Sequence, residues 1–264
     1  MTSPKDLLEL AREVAREAGD LAARRRAEGV TVAATKSALA DIVTEADREV
    51  EALIRARLDA ERPADGFLGE ESGADGREAE ITWVVDPIDG TVNYAYGLPA
   101  WAVSIAAVGG SADPETWQPL AGAVFSPATD DLFGAALGEG ASLGDRRIRV
   151  NAEVGPAGAL IATGFGYDPA THAAALAQLE RVMPIARDVR RGGAASLDLA
   201  YVAAGRHDAY YERGLQPWDH AAGALIVAEA GGIVTGAPGG RPGRGMTIAA
   251  APAIYDRLAA LVDL

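Results

Sequence analysis

Asp86 and Asp89 stand three residues apart in the stretch 83–94, WVVDPIDGTVNY. An apolar run, Trp83-Val84-Val85, precedes them, so the two carboxylates emerge where a buried strand meets a crevice. Pro87 stiffens the exit, and Gly90 lets backbone approach a ligand closely. The main-chain carbonyl of Ile88, between the acids, is a further hard oxygen donor. Gly90 and Thr91 then offer backbone N–H groups at a turn opening a short helix, which suits a phosphate. Asp-Pro and Asp-Gly are also common turn dipeptides. On these two pairs alone, a plain turn and a metal cradle fit equally well.

Other acids shift the balance. Glu70 and Glu71 follow the apolar trio Phe67-Leu68-Gly69 and precede Ser72, again at a strand end, so at least one is expected to face the crevice. Asp47 stands three residues after Thr44, the spacing of a helix capping pair, and it serves the site as well if that helix start points inward. Trp218-Asp219 opens a helical run of Ala221, Ala222, Leu225, Ile226 and Ala230, where the helix dipole favours an acid. Acids that each sit at a strand end or a helix start are what a two-metal site requires. Two cations ~3.5–4 Å apart clamp the attacking and leaving oxygens of an in-line displacement.

The kind of metal follows from what is missing. The chain has no cysteine, which removes thiolate sites and disulfides. Its three histidines, His172, His207 and His220, show no ligand spacing. The ligands are therefore oxygens, which favours magnesium, manganese or calcium.

The elements that must position these groups are legible in outline. Ser3-Pro4 reads as the cap and first position of a helix with Leu7, Leu10, Ala11, Val14, Ala18, Leu21 and Ala22 on one face, ended by Gly29. Residues 30–34 read as a short strand and 36–38, with Lys36, as a loop. A second helix runs from Thr44 to Pro63. Residues 73–80 read as a surface loop. Strands are expected at 101–108 and 120–125, then a strand pair at 131–136 and 146–150. Consecutive strands point to an antiparallel sheet in an α+β half, residues 1–153. From 154 to 264 strands and helices alternate: strands at 159–163, 185–189, 208–211, 233–235 and 246–250, helices at 169–182, 196–204, 217–230 and 253–262. That alternation predicts a layered α/β half within a single domain. The glycine-rich stretch 236–245, GAPGGRPGRG, reads as a mobile loop.

The chain has 264 residues, 24 basic and 38 acidic, a formal net charge of -14. That balance opposes a nucleic-acid binder, which needs a basic face. No apolar stretch reaches the ~20 residues of a membrane span, and the charged N-terminus is unlike a signal peptide. A cytoplasmic protein is expected.

WVVDPIDGTVNY, GEES at 69–72 and WDHAAGALIVAEAGG at 218–232 resemble the signatures of the inositol monophosphatase family, most closely its bacterial branch. DIVTEAD at 41–47, ATGFGY at 162–167 and LDLAYVAAGRHDAYYE at 197–212 extend the resemblance over almost the whole chain. The resemblance implies a layered αβαβα sandwich of the fructose-1,6-bisphosphatase-like kind. It implies a magnesium-dependent, lithium-sensitive phosphatase with two or three ions, manganese as a substitute, a small phosphorylated polyol as substrate and usually a homodimer. Carried over by motif, Glu70, Asp86 and the Ile88 carbonyl bind one metal; Asp86, Asp89 and Asp219 bind another. Thr91 orients the attacking water, with Glu70 or Asp47 as proton acceptor. Asp89, Gly90 and Thr91 meet the phosphate, and Asp219 faces the departing oxygen. Ala195 and Glu212 touch the alcohol part, with Gly193 and Ala194 near it. Lys36 belongs to a loop that approaches the site in relatives.

The chain departs from the family pattern in places. Gly193-Ala194-Ala195-Ser196 replaces the usual glycine, small hydroxyl residue and two alanines. Val92 stands where many relatives have a second threonine, and Tyr94 where many have phenylalanine. These positions bear on the choice of alcohol more than on the reaction. Alternatives are a histidinol-phosphate, fructose-1,6-bisphosphate or adenosine 3′-phosphate phosphatase. From other classes come a regulatory protein that contacts the transcription machinery and a metal-buffering protein.

Overall fold

The computed structural model describes residues 3–30, 32–35, 42–237 and 239–262. Lys36 lies outside them. The first helix, α1 (Pro4–Glu28), starts on a capping box in which Ser3 and Asp6 satisfy each other's backbone N–H. β1 (Val32–Thr35) and β2 (Ile42–Thr44) form a small antiparallel ribbon. β2 runs directly into α2 (Glu45–Glu61), which Thr44 and Asp47 cap in the same reciprocal way.

Eight strands then make one sheet. They are β3 (Gly66–Gly69), β4 (Gly73–Ala74), β5 (Ile81–Asp89), β6 (Ala102–Gly109), β7 (Gln118–Ser126), β8 (Asp131–Ala136), β9 (Gly140–Leu143) and β10 (Arg146–Arg147). A short helix, α3 (Thr91–Tyr96), sits between β5 and β6. The strand order is β10-β9-β8-β7-β6-β5-β3-β4, antiparallel except for the pair β3 and β5. The expected pairing of 131–136 with 146–150 is corrected: β8 pairs with β9, and only Arg146 and Arg147 extend the sheet, on the far side of β9. Gly138 and Gly140 both have positive φ and let the chain turn back earlier than the sequence suggested.

The second sheet holds β11 (Ala159–Thr163), β12 (Ala186–Arg190), β13 (Ala209–Glu212), β14 (Ile233–Thr235) and β15 (Thr247–Ala250) in the order β12-β11-β13-β15-β14. Its helices are α4 (His172–Val182), α5 (Ala195–Ala203), α6 (Pro217–Glu229) and α7 (Pro252–Val262). The glycine-rich stretch is tied down by turn hydrogen bonds and by Arg241, whose Nη1 donates to the carbonyl of Trp117 at 2.7 Å.

The layers follow from which faces are apolar. α1 and α2 cover one face of the first sheet, burying Leu7, Val14, Val50 and Ile54 against Trp83, Val85, Ile105 and Phe125. α5 and α6 fill the space between the sheets with Leu197, Leu199, Leu225 and Ile226. α4 and α7 close the outer face of the second sheet around Ile161, Ile248, Ile254 and Leu258. The result is the expected αβαβα sandwich. Each fully buried aliphatic side chain contributes roughly 1.5–3 kcal/mol relative to exposure. α6 is largely apolar because it is covered on both sides. No helix among the described residues is long and apolar enough to cross a membrane.

Candidate active site

β5 does not end at Val85. It continues to Asp89, with Asp86 opposite Ser104 and Asp89 opposite Ala102 on β6. Three steps along β5 thus match two along β6, which is a bulge of one residue. In a regular strand, residues three apart point to opposite faces. The extra residue restores Asp86 and Asp89 to one side. Pro87 lies inside this irregular stretch, where its lack of an N–H costs no regular ladder bond.

Around Asp86 the acids converge. Its carboxyl is buried, and the Glu70 carboxyl is near enough to bear on its titration. Desolvation, followed by the charges of Glu70, Asp89 and Asp219, holds it well above the usual carboxylate range. Asp219, in the first turn of α6, is pushed up by desolvation and by Asp89 and Glu70, although its Oδ2 accepts the Gln216 N–H at 2.7 Å. Asp89 is raised to about 6 by burial, against the hydrogen bonds it accepts from Ser196 and Ala195. Of the glutamate pair, Glu70 reaches the cluster, while Glu71 lies 4.0 Å from the guanidinium of Arg48.

Such a cluster is short of positive charge. Asp86, Asp89 and Asp219 make no ion pair with lysine or arginine among the described residues. Carboxyls crowded around a buried one need either a shared proton or a cation among them. The donors are all hard oxygens, as magnesium prefers. No three His, Asp or Glu side chains among the described residues form a ready-made ion cage. Several carboxylate oxygens are instead engaged by N–H groups: Asp86 Oδ1 by Ile88, Asp89 by Ala195 and Ser196, and Asp219 Oδ2 by Gln216. In charge and donor type the residues fit a divalent cation.

Beside the acids lies a hydroxyl. Thr91 Oγ1 is 3.1 Å from the Ile88 carbonyl and 3.3 Å from Asp47 Oδ1. The other oxygen of Asp47, Oδ2, accepts the Thr44 N–H at 2.7 Å and the Thr44 hydroxyl. Asp47 thus caps α2 and faces Thr91 at once. Burial raises its pKa to about 7 despite those bonds. Gly90 precedes α3 with φ 86, and a Cβ there would lie 2.9 Å from the Ala100 carbonyl and 3.1 Å from that of Gly193. Only glycine lets these two loops meet. Gly193, Ala194 and Ala195 therefore lie next to the β5 exit. Glu212, at the end of β13, accepts the Tyr210 hydroxyl at 2.6 Å and is raised by burial to about 7.

The structure adds residues that the sequence reading passed over. Asn93 Nδ2 donates to the carbonyls of Ala100 at 2.7 Å and Gly192 at 2.8 Å, binding α3 to the loop before α5. Ser104 Oγ donates to the Trp218 carbonyl at 3.3 Å, fixing the start of α6 on the first sheet. Ser196 donates to Asp89 from both its N–H and its hydroxyl. Its misplaced hydroxyl was visible in Gly193-Ala194-Ala195-Ser196, but its partner was not.

A model of the inositol monophosphatase family matches residues 3–263. The chain belongs to the inositol monophosphatase family. An inositol-1-monophosphatase SuhB of Mycobacterium tuberculosis is 44% identical over 98% of this chain and 94% of that protein. A Nus factor SuhB of Vibrio cholerae is 38% identical over 89% of this chain and 86% of its own length. Among solved structures, the extragenic suppressor protein suhB from Bartonella henselae superposes with a TM-score of 0.89 at 38% identity, covering 97% of this chain and 98% of that one. Family membership and the fold thus agree; Asp47 reaches Thr91, and Asp89 reaches the first turn of α5.

Proposed function

We propose that this family member hydrolyses small phosphate monoesters with magnesium, myo-inositol monophosphate first among them. The observation that carries the reading is the burial of Asp86 and Asp89 without a lysine or arginine partner among the described residues, with Glu70 and Asp219 near enough to push Asp86 upward. Glu70, Asp86 and the Ile88 carbonyl would hold one ion, and Asp86, Asp89 and Asp219 a second. When bound, such ions neutralise phosphate oxygens and lower the pKa of the attacking water. The remaining work falls to the chain. Thr91 orients the water through its hydroxyl, and Asp47 or Glu70 takes the proton. Gly90 and Thr91 present backbone N–H groups to the phosphate next to Asp89. Asp219 lies on the leaving-group side and helps to protonate the alkoxide. Glu212 and Ala195 meet the alcohol, with Gly193 and Ala194 beside them. No side-chain nucleophile stands out, so the reading needs no covalent phosphoenzyme. The names of the relatives support this activity, and the metal-dependent character of the family supports the cofactor.

Phosphate release from purified protein tests the reading. Inositol 1-phosphate, histidinol phosphate and fructose 1,6-bisphosphate would be compared with and without magnesium, and with lithium. Preference for histidinol phosphate would move the substrate while keeping the site. No magnesium-dependent release from any ester would refute the phosphatase reading. The homodimer implied by the family is tested by light scattering.

A second reading rests on one observation, the relative named as a Nus factor. On that reading the chain's surface binds the transcription machinery. Capture of that machinery by an Asp89→Asn variant as well as by the native protein would support it, since that role does not pass through the acids.

A further inference from the structure

α5 begins without a cap of its own. The residue at its N-cap is Ala194, which makes no side-chain hydrogen bond to the first turn. A helix start leaves four N–H groups unpaired unless something accepts from them. Here the acceptor arrives from the other sheet. Asp89 Oδ1 lies 3.2 Å from the Ala195 nitrogen, and Oδ2 lies 2.7 Å from the Ser196 nitrogen. Ser196 Oγ is the third donor to the carboxylate and the second to Oδ2, at 2.5 Å. Ser196 is fully buried, and Asp89 is 7% exposed.

The exchange of residues around Ala194 now has a physical meaning. A hydroxyl at 194, where the family pattern places one, would be an ordinary N-cap acceptor for α5. A hydroxyl at 196 instead sits inside the first turn and donates to a carboxylate. The chain has replaced a local cap by one supplied across 107 residues.

We propose that Ser196 is a positioning residue: its hydroxyl fixes the Asp89 carboxylate on the N-terminus of α5, holding Oδ2 in the helix and leaving Oδ1 for a cation. The division between the oxygens follows from the distances. Oδ2 has two short bonds, and Oδ1 has one longer bond. This inference rests on the metal reading above. It differs from a packing role in what it predicts. A packing serine sets thermal stability alone, whereas a positioning serine sets how tightly the ion binds.

The test is calorimetric titration of magnesium into substrate-free native protein and the variants Ser196→Ala and Asp89→Asn. Alanine is what the family pattern carries at this position, so the variant keeps the fold. Loss of one charge-assisted donor while two backbone donors remain is expected to weaken magnesium binding about three- to tenfold in Ser196→Ala, with an unchanged far-ultraviolet spectrum. The magnesium concentration for half-maximal turnover should rise by the same factor, with less change in kcat at saturating metal. Equal magnesium affinity in Ser196→Ala and native protein, with Asp89→Asn impaired, overturns this inference and spares the metal reading. Absence of magnesium binding by the native protein overturns both.

Discussion

The hydroxyl of Thr91 lies 3.3 Å from Asp47 Oδ1, across 44 residues of chain, and 3.1 Å from the carbonyl of Ile88. One small side chain therefore links the start of α2, the β5 bulge and the start of α3. If that hydroxyl orients the attacking water, Thr91→Ala should lower kcat by about 10²–10⁴-fold. KM for the ester should move little. Thr91→Ser, which keeps the hydroxyl, should retain most of the activity. Steady-state phosphate release at saturating magnesium checks this, and an alanine variant with native kcat would remove Thr91 from the mechanism.

Asp89→Asn removes a negative charge from the proposed second metal and keeps the shape of the side chain. Metal stabilisation of the transition state is worth several kcal/mol, so turnover should fall roughly 100-fold or more. The fold should survive, because the amide oxygen still accepts from the first turn of α5. Phosphate release and circular dichroism of the same preparation separate the two effects.

Close packing behind the site makes a third prediction. A Cβ on Gly122 of β7 would lie 2.9 Å from the Cα of Ala222 in α6. The neighbour is backbone, so it cannot swing aside. Gly122→Ala should cost about 1–3 kcal/mol by overpacking, read as a fall of several degrees in the melting temperature. It should also weaken magnesium binding, since displacing α6 displaces Asp219. Loss of stability with native magnesium affinity would show that the first turn of α6 is held independently, by Ser104 and Trp218.

His207 gives a pH dependence with a defined sign. Burial lowers its pKa from 6.5 to about 4, so it is neutral in the folded protein near pH 7. As pH falls through 6.5 the unfolded chain takes up a proton that the folded chain refuses until about pH 4. Stability contributed by this group is thus complete above 6.5 and is lost progressively down to about 4. At pH 5 the loss is about 2 kcal/mol. His207→Gln should flatten the dependence of unfolding free energy on pH between 7 and 5 relative to the native protein. Parallel pH profiles would contradict it. The raised acids of the site act in the opposite sense, which is why the comparison between variant and native protein is the informative one.

What could be read from the chain depended on how local its cause was. α1 and α2 were legible because Ser3-Pro4 and the Thr44–Asp47 pair are local signals at a helix start. The β5 exit was legible because an apolar run, a proline and a glycine crowd into a few positions. β9 was not. It has four residues, a single buried one, and it owes its place to pairing with β8. Residues 146–150 look more strand-like in isolation, but tertiary pairing overrode that propensity. The acids themselves were found from sequence. Their arrangement was not, because it depends on a bulge that only the register against β6 reveals. The roles of Asn93 and Ser104 and the partner of Ser196 were invisible for the same reason: each bond reaches a partner distant in sequence or set by a loop.

The capping of α5 by Asp89 bears on the order in which this molecule can come to life. A carboxylate from the first sheet completes a helix that packs between the two sheets, so neither half holds a finished site alone. Contacts of such long sequence separation form late, after the local turns and hairpins. During refolding, helical signal should therefore return before catalytic competence, with the lag marking the moment the two sheets come into alignment. The site is thus complete only once residues carried by both sheets have met.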